Sequence, residues 1–212
     1  MKPYYEDNVV TIYHGDAFEL LPHIQGIDLI LTDPDYNSSR ISYSGEEAKM
    51  PTIEYEEFCE RWFRLASQTC LNLVFTPGMK NIWNYPPAKW IVAWHKSSSP
   101  MKSPVGGFAV WEPILIYGNP TCRFGHDYLN FQPLNFIQNE WAQHPCPKSP
   151  DLWSMLIERT TKPGQTILDP FLGSGTTTFC AKKLGRKAIG IEKVERFCEI
   201  AANRCRQTVM AL

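Results

Sequence analysis

Residues 166–192, TILDPFLGSGTTTFCAKKLGRKAIGIE, read as a strand, a glycine-rich turn, a helix and a second strand. The apolar run 166–169 ends at Asp169. Gly173 and Gly175 then let the backbone approach a ligand with no Cβ in the way. Thr176 and Thr177 open a helix whose free amide groups and positive end can hold a carboxylate or phosphate. A nucleotide-hydrolysing loop needs Gly-Lys-Ser/Thr where this turn has Gly-Thr-Thr, which argues against that chemistry. Asp169 suits a ligand that carries an ammonium beside its anion, as an amino-acid zwitterion does. Glu192 ends the next strand about 20 residues on, where an acid can accept hydrogen bonds from ribose hydroxyls.

A plain turn and a solvated glutamate would each explain one of these features alone. Their order, strand, glycine turn, helix, strand, acid, points instead to a nucleoside joined to an amino acid. S-adenosylmethionine is that molecule.

Outward from this unit, strand-like runs recur at 9–16, 27–32, 71–76, 89–94 and 109–117. Helical patterns lie between several of them. Residues 54–69 place Phe58, Trp62 and Leu65 on one face, and 149–161 begins with Ser149 as N-cap and Pro150 at the first helical position. Helices are also predicted over 176–185 and over 194–208, the latter with Phe197, Ile200, Ala201 and Arg204 in register. The alternation predicts an α/β fold: a mostly parallel, seven-stranded sheet covered by helices on both faces. Ligands of such sheets collect beyond the carboxyl ends of the strands, which gathers the turns HGDAF, TDPDY, DPFLGSGTT and GIE into one cleft. A single domain over 1–212 is expected, with a short insertion at about 119–143. Trp90, Trp94 and Trp153 are expected in the core.

Composition narrows the setting. With 43% hydrophobic and 20% charged residues and no run resembling a membrane span or signal peptide, a soluble cytoplasmic protein is expected. The seven cysteines stand singly and no CxxC occurs, so buried reduced thiols are expected, not disulfides or zinc. A formal net charge of −1 gives no global positive field, and any nucleic-acid contact must use local patches.

The other decisive stretch is GIDLILTDPDYN, residues 26–37: an apolar strand run out of the core and ended by Asp33, Pro34, Asp35 and Tyr36. Asp-Pro and Tyr-Asn-Ser are ordinary turn material. Beside a methyl donor they gain a purpose. An aryl amine is a poor nucleophile because its lone pair is delocalised. Acceptors for its N–H groups make the nitrogen more tetrahedral and hold it in line. Asp33 and the Pro34 carbonyl can be those acceptors, while Tyr36 offers a ring on which a planar substrate can stack. No metal is required.

These stretches together resemble a known family, the DNA amino-methyltransferases, which methylate the exocyclic nitrogen of adenine or cytosine. DPFLGSGTT is similar to their cofactor motif and TDPDYN to their catalytic Asp-Pro-Pro-Tyr. HPCPKSPDLWSMLI (144–157) resembles the His-Pro-X-X-Lys-Pro segment of a permuted subgroup, in which the catalytic turn precedes the cofactor turn. HGDAFELL (14–21) matches the family's Gly-Asp turn. The resemblance implies a Rossmann-like S-adenosylmethionine-dependent methyltransferase fold. It implies Asp169, Phe171, Gly173, Gly175 and Thr176 around the methionine part, Glu192 at the ribose, Asp16 at the adenine amino group, and Lys148 with Ser149 over the cofactor's carboxylate. Adenine N6 is favoured over cytosine N4, because the acid form of the catalytic turn is the commoner among adenine enzymes.

Asp35 departs from the family's second proline. It leaves three readings open: a tolerated variant with the carboxylate turned to solvent, an impaired enzyme that still binds cofactor or DNA, or an altered amine substrate, with RNA or a small molecule as the further alternative. The partner implied is double-stranded DNA. Candidate phosphate contacts are Arg40 in the segment after the catalytic turn, Lys96 and Lys102 in the 95–104 loop with Ser97, Ser98 and Ser99, and Arg123 in the 119–143 window. That window also holds His126, Asn130, Gln132, Asn135, Gln138 and Asn139, side chains able to read base edges. Its shortness predicts a short recognition sequence, weak selectivity or help from a second subunit in a homodimer.

Overall fold

A computed structural model describes residues 1–37, 49–96, 103–120, 125–132 and 148–207. The strands are β1 (Tyr5–Glu6), β2 (Val10–His14), β3 (Ile27–Thr32), β4 (Cys70–Phe75), β5 (Trp90–His95), β6 (Trp111–Tyr117), β7 (Tyr128–Asn130), β8 (Thr166–Asp169) and β9 (Lys187–Glu192). The α-helices are α1 (Ala17–Leu20), α2 (Thr52–Thr69), α3 (Pro150–Thr160), α4 (Thr176–Lys183) and α5 (Glu195–Gln207). They build one sheet in the order β1-β2-β9-β8-β3-β4-β6-β5-β7. The five strands from β2 to β4 run parallel, and β6 enters antiparallel between β4 and β5. The described residues thus hold nine strands, not the seven expected. The two additions, β1 and β7, are edge strands of two and three residues, too short for any alternation of side chains to mark them.

β3 lies at the centre because every residue in it except Asp28 is buried, so both its faces are covered. Leu29 and Leu31 face a core completed by Leu152, Trp153 and Leu156 of α3 and Cys180 of α4. Ile30 faces the opposite core with Tyr55, Cys59, Trp62 and Ala66 of α2. The exception within β3 is Asp28, whose carboxylate accepts from Thr166 N at 2.8 Å and Gln165 Nε2 at 3.0 Å. That contact pins β3 against β8 and fixes their register.

α2 buries the stripe Tyr55, Cys59, Trp62 and Ala66, with Phe58 and Leu65 half-covered at its flank. Trp62 anchors it, its ring 4.9 Å from Phe75 and 5.7 Å from both Tyr85 and Phe171. α5 likewise buries Phe197, Ala201 and Arg204 as predicted, while Ile200 is only partly covered. Trp94 and Trp153 are in the core, but Trp90 is 58% exposed. β7 covers β5 only from Ala93 to His95, so the first turn of that edge is left open at Trp90 and Ile91. Cys59, Cys180, Cys198 and Cys205 are buried free thiols. No helix of the described residues is long and apolar enough to cross a membrane.

Candidate active site

The carboxyl ends of the parallel strands form one edge, and five turns follow each other along it. Asp16 lies beyond β2, Glu192 ends β9, Asp169 ends β8, Asp33 follows β3 and Thr76 follows β4. The catalytic and cofactor turns predicted from opposite ends of the chain are therefore on adjacent strands. Thr32, the last residue of β3, donates its hydroxyl to Asp169 Oδ1 at 2.6 Å and joins them directly.

In the glycine turn, Asp169 is 4% exposed and points into the turn itself. Oδ1 also accepts from Phe171 N at 3.1 Å, and Oδ2 from Thr177 Oγ1 at 2.5 Å. Burial pushes its carboxyl up to about 6 in spite of these donors. Expected as an acceptor for a ligand ammonium, Asp169 instead spends both oxygens on protein donors and acts as a strut. Gly175 has φ +86°, and a Cβ there would stand 2.6 Å from Ala201 Cβ, so α5 closes directly on the turn. Thr176 is buried at the start of α4. The Phe171 ring turns towards α2, 5.8 Å from Phe58 and 5.7 Å from Trp62, and is partly exposed.

Glu192 accepts from Gly173 N and Val194 N, both at 2.8 Å, which ties the end of β9 to the glycine turn. Burial raises its pKa against those two amides. Asp16 caps α1 through Phe18 N at 2.8 Å, and Lys193 Nζ stands 3.3 Å from its other oxygen. Gly15 N donates to the Glu192 carbonyl at 2.9 Å, so Asp16 and Glu192 are neighbours on the edge.

In the other turn, Asp33 Oδ1 accepts from the Tyr36 hydroxyl and the Thr76 hydroxyl, and Lys148 Nζ lies 2.8 Å away. Lys148 Nζ is also 3.1 Å from the Tyr36 oxygen. Pro34 is buried. The Tyr36 ring packs on the Gly78 backbone, where φ is +74° and a Cβ would approach the ring to 3.2 Å. Burial and the Asp33 charge hold the Tyr36 hydroxyl well above its usual pKa, so it keeps its proton.

Asp35 is exposed, and its Oδ1 accepts from Asn37 N at 2.7 Å while its carbonyl accepts from the Tyr55 hydroxyl at 2.7 Å. Its carboxylate therefore closes a local turn. Asn37, at φ +51°, exchanges two side-chain hydrogen bonds with the Met50 backbone, at 2.9 and 2.8 Å. Ser149 precedes α3 as predicted, buried, but its side chain makes no capping bond.

Lys96 differs most from expectation. Expected to face DNA, it is largely buried, its ammonium 3.9 Å from the Trp94 ring centroid and paired with Glu112. Burial lowers its pKa, partly opposed by Glu112. Glu112 is 7% exposed, and its Oε2 has no partner among the described residues. Arg40, Lys102 and Arg123 lie outside the described residues, as do Ser97, Ser98, Ser99, Asn135, Gln138 and Asn139. His126, Asn130 and Gln132 are within them, and Asn130 Oδ1 is 3.2 Å from Gln132 Nε2 and 3.3 Å from His95 Nδ1.

Sequence reasoning missed Thr76 and Glu112. Each left a trace. Thr76 follows β4 just as Asp33 follows β3, and Glu112 is a lone charge in the otherwise apolar run AVWEPILIY. Two shallow hollows that share Gly26, Gln68 and Thr69 lie at the amino end of β3, the opposite end of the strand from Asp33. Hollow and chemistry do not coincide there.

The geometry has matching relatives. Type II methyltransferase M2.DpnII of Streptococcus pneumoniae is 27% identical, over 96% of this chain and 92% of that protein. DNA adenine methyltransferase YhdJ of Escherichia coli is 24% identical, over 92% of this chain and 82% of its own length. The crystal structure of M1.HpyAVI in complex with SAM superposes with a TM-score of 0.66 at 25% identity, covering 92% of this chain and 98% of that one. The model of the N6/N4 DNA methylase family, described as DNA methylase, matches residues 71–203, more than half of the chain. With two acid-tipped turns on adjacent strands and this match, the chain belongs to the N6/N4 DNA methylase family.

Proposed function

We propose that this chain transfers a methyl group from S-adenosylmethionine to the exocyclic amino group of a base flipped out of duplex DNA, with adenine N6 as the target. The observation that carries the reading is the junction of the two turns, Asp33 on β3 and the glycine turn on β8, held together by the Thr32–Asp169 hydrogen bond. The residues fit the cofactor. Gly173 has a positive φ at the turn, the free amides of α4 begin at Thr176, and Glu192, whose two oxygens each accept one backbone amide, keeps further lone pairs for ribose hydroxyls. Asp16, a neighbour of Glu192 on the same edge, is assigned to the adenine end.

S-adenosylmethionine supplies a methyl group made electrophilic by its sulfonium. Asp33 and the Pro34 carbonyl accept the two amino N–H groups of the base and draw its nitrogen out of conjugation. The nitrogen lone pair forms the new bond to the methyl carbon as the carbon–sulfur bond breaks, and the displaced proton leaves along the hydrogen bond to Asp33. Tyr36 supplies a ring at the turn for the flipped base, offsetting part of the few kcal/mol lost on unstacking.

The preference for adenine rests on the acid form of the turn and on the adenine-specific name of one relative. The turned-out Asp35 carboxylate favours a tolerated variant over an impaired homologue, since its charge is spent on Asn37 N and not directed at Asp33. Phosphate contacts are assigned to Arg40, Lys102 and Arg123.

The test is transfer of labelled methyl from S-adenosylmethionine to duplex DNA, followed by nucleoside analysis, with Asp35→Pro run beside the natural chain. N6-methyladenine from both proteins is expected. Label only in N4-methylcytosine would overturn the choice of base. Label only from Asp35→Pro would return the natural chain to a binding role. No label from either would defeat the proposal.

A further inference from the structure

We propose that Thr76 and Lys148 are positioning residues that, with the Tyr36 hydroxyl, hold Asp33 by one oxygen so that the other oxygen is presented to the amine. The inference rests on the methyl-transfer reading above and deepens it. Three donors reach a single atom, Asp33 Oδ1, from three separate parts of the chain. Tyr36 belongs to the same turn, Thr76 follows the neighbouring strand β4, and Lys148 arrives with the segment that leads into α3. Among the described residues, no donor reaches Oδ2, and the Asp33 side chain remains 24% exposed. The arrangement is lopsided. A carboxylate sharing its donors between both oxygens would have to surrender one before an amine could bind. Here the bonds to protein need not change.

Each donor is fixed in turn. Thr76 is fully buried, and its amide donates to the Thr32 carbonyl at 3.3 Å, so the hydroxyl has the sheet behind it. A buried hydroxyl costs free energy unless it is bonded, and Asp33 supplies that bond. The Tyr36 proton stays on oxygen because its hydroxyl is desolvated beside a carboxylate, so this hydroxyl donates to Asp33 and can accept from Lys148 at 3.1 Å. Lys148 thus closes a small circuit, ammonium to phenol to carboxylate and ammonium to carboxylate. Its ammonium also stands 5.7 Å from the Trp94 ring centroid, on a ring that carries the Glu112-paired Lys96 as well. Aiming an acceptor this way is the kind of preorganisation on which transfer rates depend.

Thr76→Val keeps the side-chain shape and removes one donor, and Thr76→Ser restores it. Under single-turnover conditions with saturating DNA and S-adenosylmethionine, Thr76→Val is expected to slow methyl transfer about 10- to 100-fold. Cofactor affinity by calorimetry should stay within about twofold, and Thr76→Ser should recover most of the rate. Lys148→Met is expected to slow the same saturated step; a loss confined to cofactor affinity would assign Lys148 to the cofactor alone and remove it from the clamp. Wild-type transfer rates in folded Thr76→Val would overturn the role of Thr76. A second measurement does not depend on turnover. Thr76→Val should shift the melting temperature by several degrees in the natural chain and hardly at all beside Asp33→Ala. Equal shifts in both backgrounds would overturn the clamp even if DNA is methylated. Unequal shifts without methylation would uphold the clamp and defeat the methyl-transfer reading instead.

Discussion

Thr32 and Asp169 stand 137 positions apart in the chain and 2.6 Å apart in space, hydroxyl to carboxylate, at the ends of adjacent parallel strands. Through that bond the turn after β3 and the glycine turn after β8 share one buried charge.

The shared charge makes stability depend on pH. Asp169 titrates near 6 in the fold against an ordinary 3.8, because burial disfavours its charged form. Between those values the native state holds a proton that the unfolded chain has released, so stability falls as pH rises from about 4 to about 6 and levels off above. The loss can reach about 3 kcal/mol, and Glu192, raised for the same reason, contributes with the same sign. Urea denaturation at the two ends of this window should show the fall in the natural chain and a smaller one in Asp169→Asn.

Glu192→Ala should weaken S-adenosylmethionine binding by about 10- to 100-fold, the scale of one or two hydrogen bonds to a charged group. Calorimetric titration checks it. Affinity equal to that of the natural chain would remove Glu192 from the ribose.

Gly175→Ala meets two obstacles, a positive φ and the Ala201 methyl 2.6 Å from the new Cβ. A cost of about 1–3 kcal/mol is expected, with α5 displaced and cofactor affinity reduced. Melting temperature and titration read the two effects separately. Gly164→Ala also has a positive φ but nothing within 4 Å of its Cβ, and serves as the control for strain without collision.

Lys96→Met leaves the Glu112 carboxylate buried with no cation, and should destabilise the fold by about 3–5 kcal/mol. Adding Glu112→Met should recover much of that loss, because two apolar side chains of similar volume can replace a buried pair. Denaturation of the single and double variants measures the difference. If Lys96→Met alone is harmless, the pair does not hold the sheet together.

What the sequence disclosed follows from how each feature is encoded. β3, β8 and β9 match the predicted spans residue for residue, because each is an apolar run stopped by an acid and a turn. The core of α2 was found one step around the helix from the predicted stripe, since Tyr55 and Cys59 compete with Phe58 for the buried face. β1 and β7 carry too few residues to show a period. The Lys96–Glu112 pair was hidden for another reason. The hairpin sets Trp94 opposite Glu112 and brings Lys96 to the same face, a register that local composition does not record. Donors on Asp33 came from three segments, so only the fold could assemble them.

The double bond between the Asn37 side chain and the Met50 backbone has a practical corollary. It ties the end of the Asp33–Tyr36 turn to the residue that leads into α2, so Asn37→Ala should loosen that turn without removing any group that touches Asp33.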